Sequence, residues 1–249
     1  MTDAAAGSAV YAATERAHTV DALTESLNSR INRGEFDVGS WIRQARIAEE
    51  YGVSRTPVAL ALSRLEAVGV VERVANRGFR VRVPSTRDII EVIEVRALLE
   101  GHAAELAATR ISGDRMARLF EAVEGFRAVA AGARAVAAGS PATPGAAGDD
   151  ELRQQWHRAN SLFHDTVFDA AGNRLLVETA EMLHHRLPRN TTWTAMGGDP
   201  RLLTQNAHDH ERIALAIDVR DFAQARELTI AHLFSARDLI LARFDAART

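Results

Sequence analysis

The chain has 249 residues, 47% of them hydrophobic and 25% charged, with a formal net charge of −3. That is the composition of an ordinary soluble globular protein with room for two modest domains, and its slight negative charge means that any nucleic-acid binding must rest on a local patch. There is no cysteine, and every basic residue is arginine, which excludes disulfides, thiolate metal sites, cysteine nucleophiles, Schiff-base lysines and phosphate-loop lysines.

No apolar run approaches the roughly 18 residues that a membrane span needs. The opening MTDAAAGSAVYAATERAHTV carries acids and lacks the basic start and apolar block of a secretory signal. A cytoplasmic protein with no membrane partner is the expectation, and residues 1–17 read as a flexible arm. From His18 to Arg33, Val20, Leu23, Leu27 and Ile31 recur at helical spacing and Gly34 ends the pattern, predicting a first helix. Val38 to Trp41 reads as a short extended link.

The stretch from Arg43 to Leu65 predicts two short helices joined by a tight turn. Ile47, Ala48 and Tyr51 give the first an apolar face, and Gly52 supplies a residue that tolerates φ > 0 at the helix end. Ser54 is placed to cap the second helix, and Pro57 falls in its first turn, where a missing N–H costs little. Val58, Ala61, Leu62, Leu65 and Val68 recur at i, i+3 and i+4 and are expected to face the core. Arg55, Thr56, Ala59 and Ser63 are left facing outward. A capped helix with Arg and Thr at its exposed N-terminal end has the form of a major-groove reader.

Farther on, Val70, Glu72 and Val74, then Phe79, Val81 and Val83, alternate about a polar tip at Asn76, Arg77 and Gly78, which predicts a β-hairpin. Two helices, a turn and a hairpin make a winged helix-turn-helix over residues 18–84. From Ser54 to Val83, Arg55, Arg64, Arg73, Arg77, Arg80 and Arg82 outnumber Glu66 and Glu72, so positive charge is concentrated on this DNA-facing stretch.

Residues 85–249 predict an all-helical domain of about six helices, so the fold class is mainly α. A long helix from about Thr86 to Arg110 carries Ile89, Ile90, Val92, Ile93, Leu98, Leu99, Leu106 and Ala107, apolar on more than one side as in the centre of a bundle. On it, Arg96 and Glu100 stand four apart. They fit a surface salt bridge worth little, or an Arg96 that points inward and requires a carboxylate, possessed by the protein or by a ligand. Further helices are expected at about Asp114–Val129, Glu151–Ala171, Leu175–Leu187, Leu202–Val219 and Asp221–Phe244. The Ala/Gly/Pro-rich stretch near residues 131–150 reads as frayed helix passing into a flexible loop, and Arg189 to Pro200 as a surface loop with one stray aromatic, Trp193.

Asn160 and His164 share a helix face, and His210 and His232 lie on later helices that an antiparallel bundle can bring to the same height. Three imidazoles and one side-chain oxygen suit a borderline divalent ion, zinc first, with nickel, manganese and iron also compatible. Spacing alone fits hydrogen-bonded core histidines equally well. His157 falls on the same face as His164; His184, His185 and His208 read as surface or pocket-lining residues.

GVSRTPV at 52–58, Gly34 and Gly39 before it and RGF at 77–79 resemble the GntR family of bacterial transcriptional regulators. The family usually continues SRTPVR-EAL. Ala59 stands here where relatives often carry a base-contacting arginine, which implies a different operator at that position. NSLFHD at 160–165, AGN at 171–173, DHERIALAI at 209–217, ARELTIAHL at 225–233 and EVRALLE at 94–100 resemble the FCD effector-binding domain of the FadR-type subgroup. The resemblance runs from about His18 to Phe244, apart from the Ala/Gly loop. It implies a metal held by His164, His210 and His232 together with Asn160, where relatives carry Asp or Asn.

The resemblance therefore implies a metabolite-responsive regulator, a repressor in the first instance, working as a homodimer on a palindromic operator in double-stranded DNA. Arg43, Ser54, Arg55, Thr56, Arg64, Arg77 and Gly78 would form the DNA face. Arg55 would read a base edge, guanine by preference, Thr56 and Arg64 would position phosphates, and Arg77 with Gly78 would approach the minor groove. A small carboxylic acid would bind Arg96 and the metal. Two competing readings are a metal-dependent hydrolase with an accessory winged helix, and a helical interaction module without metal. Against the hydrolase, Asp165 and Asp209 adjoin ligand histidines in sequence, yet helix neighbours point about 100° apart, which places neither as a base.

Overall fold

The computed structural model describes residues 19–32, 34–139, 148–187 and 190–246. It comprises two compact units, Met1–Val83 and Pro84–Thr249. The expected arm over residues 1–17, the helix ends at His18 and Arg33, residues 140–147 of the expected loop and Arg189 lie outside the described residues, as do the side chains of His184 and His185.

In the first unit α1 (residues 19–32) buries the four apolar positions of its stripe, Val20, Leu23, Leu27 and Ile31. They pack with Ile47 and Ala48 of α2 (Gln44–Glu50) and with Val58, Ala61, Leu62 and Leu65 of α3 (Arg55–Ala67) into one core. Gly52 makes the turn at φ +63°, and Val53 N–H donates back to the Ala48 carbonyl at 2.9 Å, closing the end of α2. Ser54 occupies the cap position of α3 without a side-chain hydrogen bond to the helix. A capping hydroxyl bonds the second or third amide of the helix, and the third residue here is Pro57, which has none. Val68, expected in the core, is 47% exposed, because it caps the C-terminal end of α3 at the margin of the buried stripe.

The hairpin is β2 (Val71–Val74) and β3 (Gly78–Val81), paired Val71 to Val81 and Arg73 to Phe79. Its buried face is Val71, Phe79 and Val81, a register shifted from the expected Val70, Glu72 and Val74 series; Val83 lies beyond the strand and is exposed. The expected link near Trp41 is a strand, β1 (Trp41–Ile42), which adds to β3 and gives the sheet order β1-β3-β2.

The second unit contains α4 (Thr86–Arg110), α5 (Gly113–Ala137), α6 (Asp149–Ala171), α7 (Arg174–Arg186), α8 (Asn190–Met196), α9 (Pro200–Asp218) and α10 (Phe222–Ala246). A capping box starts α4: Asp88 N–H donates to Ser85 Oγ at 3.1 Å and Ser85 N–H to Asp88 Oδ2 at 2.9 Å. Helix α4 packs mainly on α10 and α6, and α9 on α5 and α10. At Gly101 a Cβ would meet Ile230 Cγ1 at 2.8 Å, so glycine permits the close approach of α4 to α10.

Three expectations are corrected here. Residues 131–137 continue α5 as helix, because Val129, Ala130 and Ala133 are buried and keep the helical stripe going. The expected loop before Pro200 contains α8, which buries Thr191, Trp193, Ala195 and Met196, so Trp193 is a core residue and the described helices of this unit outnumber the expected six. Leu98 is 61% exposed, leaving α4 with an open face as well as a buried one.

Leu62 is fully buried at the centre of the winged unit, and its truncation leaves a cavity among three helices. Leu62→Ala is expected to cost about 2–5 kcal/mol in urea denaturation followed by helical circular dichroism, whereas Leu60→Ala, on the exposed side of the same helix, changes stability by less than about 0.5 kcal/mol.

Candidate metal centre and nucleic-acid interface

His164 on α6, His210 on α9 and His232 on α10 converge: each offers a ring nitrogen, and these three atoms lie within 4.8 Å of one another, all three residues being buried. The His210 and His232 rings stand 4.4 Å apart and those of His164 and His210 5.6 Å apart, centre to centre. Each ring turns its Nδ1 toward an oxygen. His210 Nδ1 is 2.7 Å from the Asn206 carbonyl, His164 Nδ1 is 3.1 Å from Glu100 Oε2, and His232 Nδ1 is 3.8 Å from Asp209 Oδ2. A carbonyl can only accept, so His210 Nδ1 carries the proton and its Nε2 keeps the lone pair. That arrangement, with an oxygen fixing the tautomer and the opposite nitrogen left to bind, is what metal-ligating histidines require.

Two further observations fit a metal. His210 Nε2 is buried and has no hydrogen-bond partner among the described residues, a costly condition for an imidazole nitrogen unless something binds it. Burial, and after it the charge of His232 and His164, pushes the His210 pKa well down and keeps the ring neutral, so no proton has to be displaced for it to ligate. The ring is stacked 3.9 Å from Phe126, with Phe163 against its edge. At Asp209 burial works against the charge, but His232 and the 2.8 Å bond from Gln205 outweigh it and hold the carboxyl below its usual range.

Asn160, one turn before His164, is buried and lines a small void of about 30 Å³ together with His164, His232, Arg96, Trp156 and Asn206. A second void of about 110 Å³, beside Asp209, shares Thr192, Asn206, His232 and Ala236 with it. Trp156 Nε1 donates to Asn206 Oδ1 at 3.0 Å, which fixes that wall. His157 is buried against Trp156 and is not among the three converging imidazoles. His208 is on the surface, 3.9 Å from Glu211.

Arg96 and Glu100 form a salt bridge at 2.8 Å, but their side chains are only 12% and 3% exposed. The surface reading is therefore corrected: the pair faces inward, and Glu100 is shared between Arg96 and His164. Glu100 had a signal in the sequence, since it repeats the phase of Ile93, Ala97 and Ala104, all of them core positions. The oxygens of Asn206 and Asp209 had none beyond their position beside the helical histidines.

In the winged unit Arg43, at the N-terminal cap position of α2, Arg55, opening α3, and Arg77, at the hairpin tip, surround one open concavity of about 800 Å³ with Gly78, Gln44 and Trp41. No carboxylate pairs with any of the three among the described residues. The remaining hairpin-region arginines behave differently: Arg64 pairs with Asp21 of α1, Arg73 with Glu66 and Arg80 with Glu72. Ser54 and Thr56 are exposed at the start of α3. Trp41 was missed by sequence reasoning, because one exposed aromatic in a two-residue strand leaves no pattern; Arg80 lies 5.9 Å from its ring.

A three-helix winged unit followed by a helical bundle around buried histidines defines a class of DNA-binding regulators. Residues 19–81 match the "Bacterial regulatory proteins, gntR family" profile and residues 91–235 match the FCD domain, so the chain belongs to the gntR family of bacterial regulatory proteins and carries an FCD domain. It is a transcriptional regulator, not an enzyme, as its relatives are regulators. It is 29% identical over 205 residues to a probable D-xylose utilization operon transcriptional repressor of Paenarthrobacter nicotinovorans, covering 82% of this chain and 80% of that one. It is 25% identical to the HTH-type transcriptional repressor GlaR of Escherichia coli, covering 86% of this chain and 92% of GlaR. The fold is that of E. coli McbR/YncC, with a TM-score of 0.72 at 20% identity over 91% of this chain and 98% of that one. Among the described residues no helix is long and apolar enough to cross a membrane.

Removing one member of a buried ion pair leaves the other without a counter-charge. Glu100→Ala is expected to destabilise the metal-free protein by about 3–5 kcal/mol, with the Arg96→Ala Glu100→Ala double variant less destabilised than the sum of the single ones. Chemical denaturation of the four proteins checks this, and simple additivity would show that the pair is not coupled.

Proposed function

We propose that the protein is a metabolite-responsive repressor of the FadR-type subgroup, cytoplasmic, which binds a palindromic operator as a homodimer and senses a small carboxylic acid through a metal-containing helical pocket. Residues 18–84 act as the DNA-binding domain and residues 85–249 as the effector domain. The observation that carries the sensing half is the convergence of three buried histidine nitrogens, with the His210 ring fixed from behind by the Asn206 carbonyl. His164, His210 and His232 with Asn160 would hold the ion, and zinc suits this donor set best. A bound divalent ion supplies a Lewis-acidic point for a carboxylate oxygen. Arg96, in the same void, offers the guanidinium that binds a carboxylate through paired hydrogen bonds.

On the DNA side, the three arginines around the open concavity support Arg55 as the base reader, with Arg43 against the backbone. Arg77 and Gly78 at the tip suit the minor groove, and Ser54 and Thr56 suit phosphates. Arg64 would have to exchange Asp21 for a phosphate. Duplexes selected by the wild-type protein from a random pool provide the assay. Arg55→Ala is expected to cost about 1–3 kcal/mol and to relax preference at one base pair. Arg77→Ala should weaken all sequences alike and reduce the slope of log K against log salt by about 1. Unchanged affinity and preference in Arg55→Ala would refute the reader assignment.

For the sensing half, chelator dialysis followed by addition of zinc is expected to raise the thermal midpoint of the wild-type protein and to leave His210→Phe unmoved, because a ligand that binds only the folded form stabilises it.

A further inference from the structure

The four residues proposed as the metal's ligands bring no negative charge with them. Three are imidazoles, which ligate as neutral rings, and the fourth, Asn160, is an amide. Of the carboxylates nearby among the described residues, Glu100 is already matched by a cation and Asp209 is not. Glu100 Oε1 accepts from Arg96 Nε at 2.8 Å and its other oxygen faces His164 Nδ1 at 3.1 Å. Asp209 accepts from Gln205, and its Oδ2 lies 3.8 Å from His232 Nδ1. A divalent cation entering this buried site therefore brings two positive charges without a protein anion among its ligands, and an uncompensated charge away from water is unfavourable.

The void in front of the site supplies the remedy. It carries Arg96 beside Asn160 and His164, while its other walls include Ile93, Leu187, Leu233 and Ile240. With Arg96 and Glu100 cancelling, and Asp209 offsetting one charge of the ion, one positive charge remains. Among the described residues, Arg96 is the one arginine that lines that void.

We propose that Asn160 makes the metal and an organic monoanion retain each other: the centre holds its ion tightly only with a monocarboxylate bearing a short apolar remainder in the void, and that acid binds tightly only to the metal-loaded protein. The inference rests on the metal-centre reading above. By linkage the two affinities change by the same factor. A carboxylate at position 160 supplies the missing charge internally, so it tightens metal binding and removes the dependence on the anion.

The test measures zinc affinity of the full-length, metal-free protein by competition with a chromophoric chelator, with sodium acetate, butyrate or succinate against sodium nitrate at equal ionic strength. For the wild type, acetate and butyrate are expected to tighten zinc binding at least about tenfold, and butyrate more than succinate. Asn160→Asp is expected to bind zinc at least about tenfold more tightly than the wild type in nitrate and to respond little to any of the acids. No tightening of the wild type by acetate or butyrate overturns the proposal, and this arm decides the matter even if the variant fails to fold. An equal response in Asn160→Asp overturns the role of Asn160, and succinate ranking first overturns the monoanion assignment. If neither protein binds zinc under any condition, the metal-centre reading itself falls, a result distinct from zinc binding that ignores the acids.

Discussion

Glu100 is a carboxylate at the middle of a bundle, flanked along α4 by Ala97, Ala103 and Ala104, and it persists there only because both of its oxygens have cationic or polar neighbours. One is bonded to Arg96 and the other faces His164. Replacing a buried pair by apolar residues is often neutral or stabilising, so stability alone gives little reason for an Arg and a Glu at this depth. What the pair does provide is position: it holds a guanidinium at the edge of a void and sets a carboxylate oxygen 3.1 Å from His164 Nδ1. Gly101, next in sequence, lets α10 approach at this level, and α10 carries His232. The close packing of α4 on α10 and the buried charge on α4 are therefore adjacent parts of one arrangement.

The first unit distributes its charge by the opposite rule. Arginines that serve the fold are paired: Arg30 bonds Glu35 and lies 3.0 Å from Glu50, and Arg73 covers the Phe79 ring at 4.4 Å while facing Glu66. Arg43, Arg55 and Arg77 instead come from a helix start, a second helix start and a hairpin tip, and meet around open space. Helix N-termini and a tight turn all expose backbone N–H groups, so the concavity is lined with donors of both kinds and favours anions. A chain of net charge −3 can thus present a strongly positive face locally.

Much of this was legible in the sequence because it is periodic. The α1 stripe and most of the α3 stripe repeat at helical spacing, and the buried positions follow. The spacing of Asn160, His164, His210 and His232 placed them on helices, but their convergence depends on how α6, α9 and α10 pack, which no local pattern encodes. Short elements were missed for a related reason: β1 has two residues and α8 seven, too few for a period to register. Ser54 shows two local rules in conflict, since the proline that suits the first turn of α3 removes the amide a serine cap would use. Val68 and Leu98 mark the limit of pattern reading, where a stripe runs past the end of a helix or onto a face that the bundle leaves open.

Helix α4 has a special place in the chain. Residues 82–85 alone separate it from β3, and its own side chains supply both Arg96 and the Glu100 that orients His164. For the regulator proposed here, an acid that engages Arg96 competes with Glu100 for the same guanidinium. Its effect on the chain can be no larger than the difference in its affinity for the two arrangements of that pair. Because Glu100 also faces His164, weakening its bond to Arg96 alters the support of a metal ligand at the same moment. In that reading, the element that follows the winged unit in sequence carries the buried charges that ligand and metal would both engage.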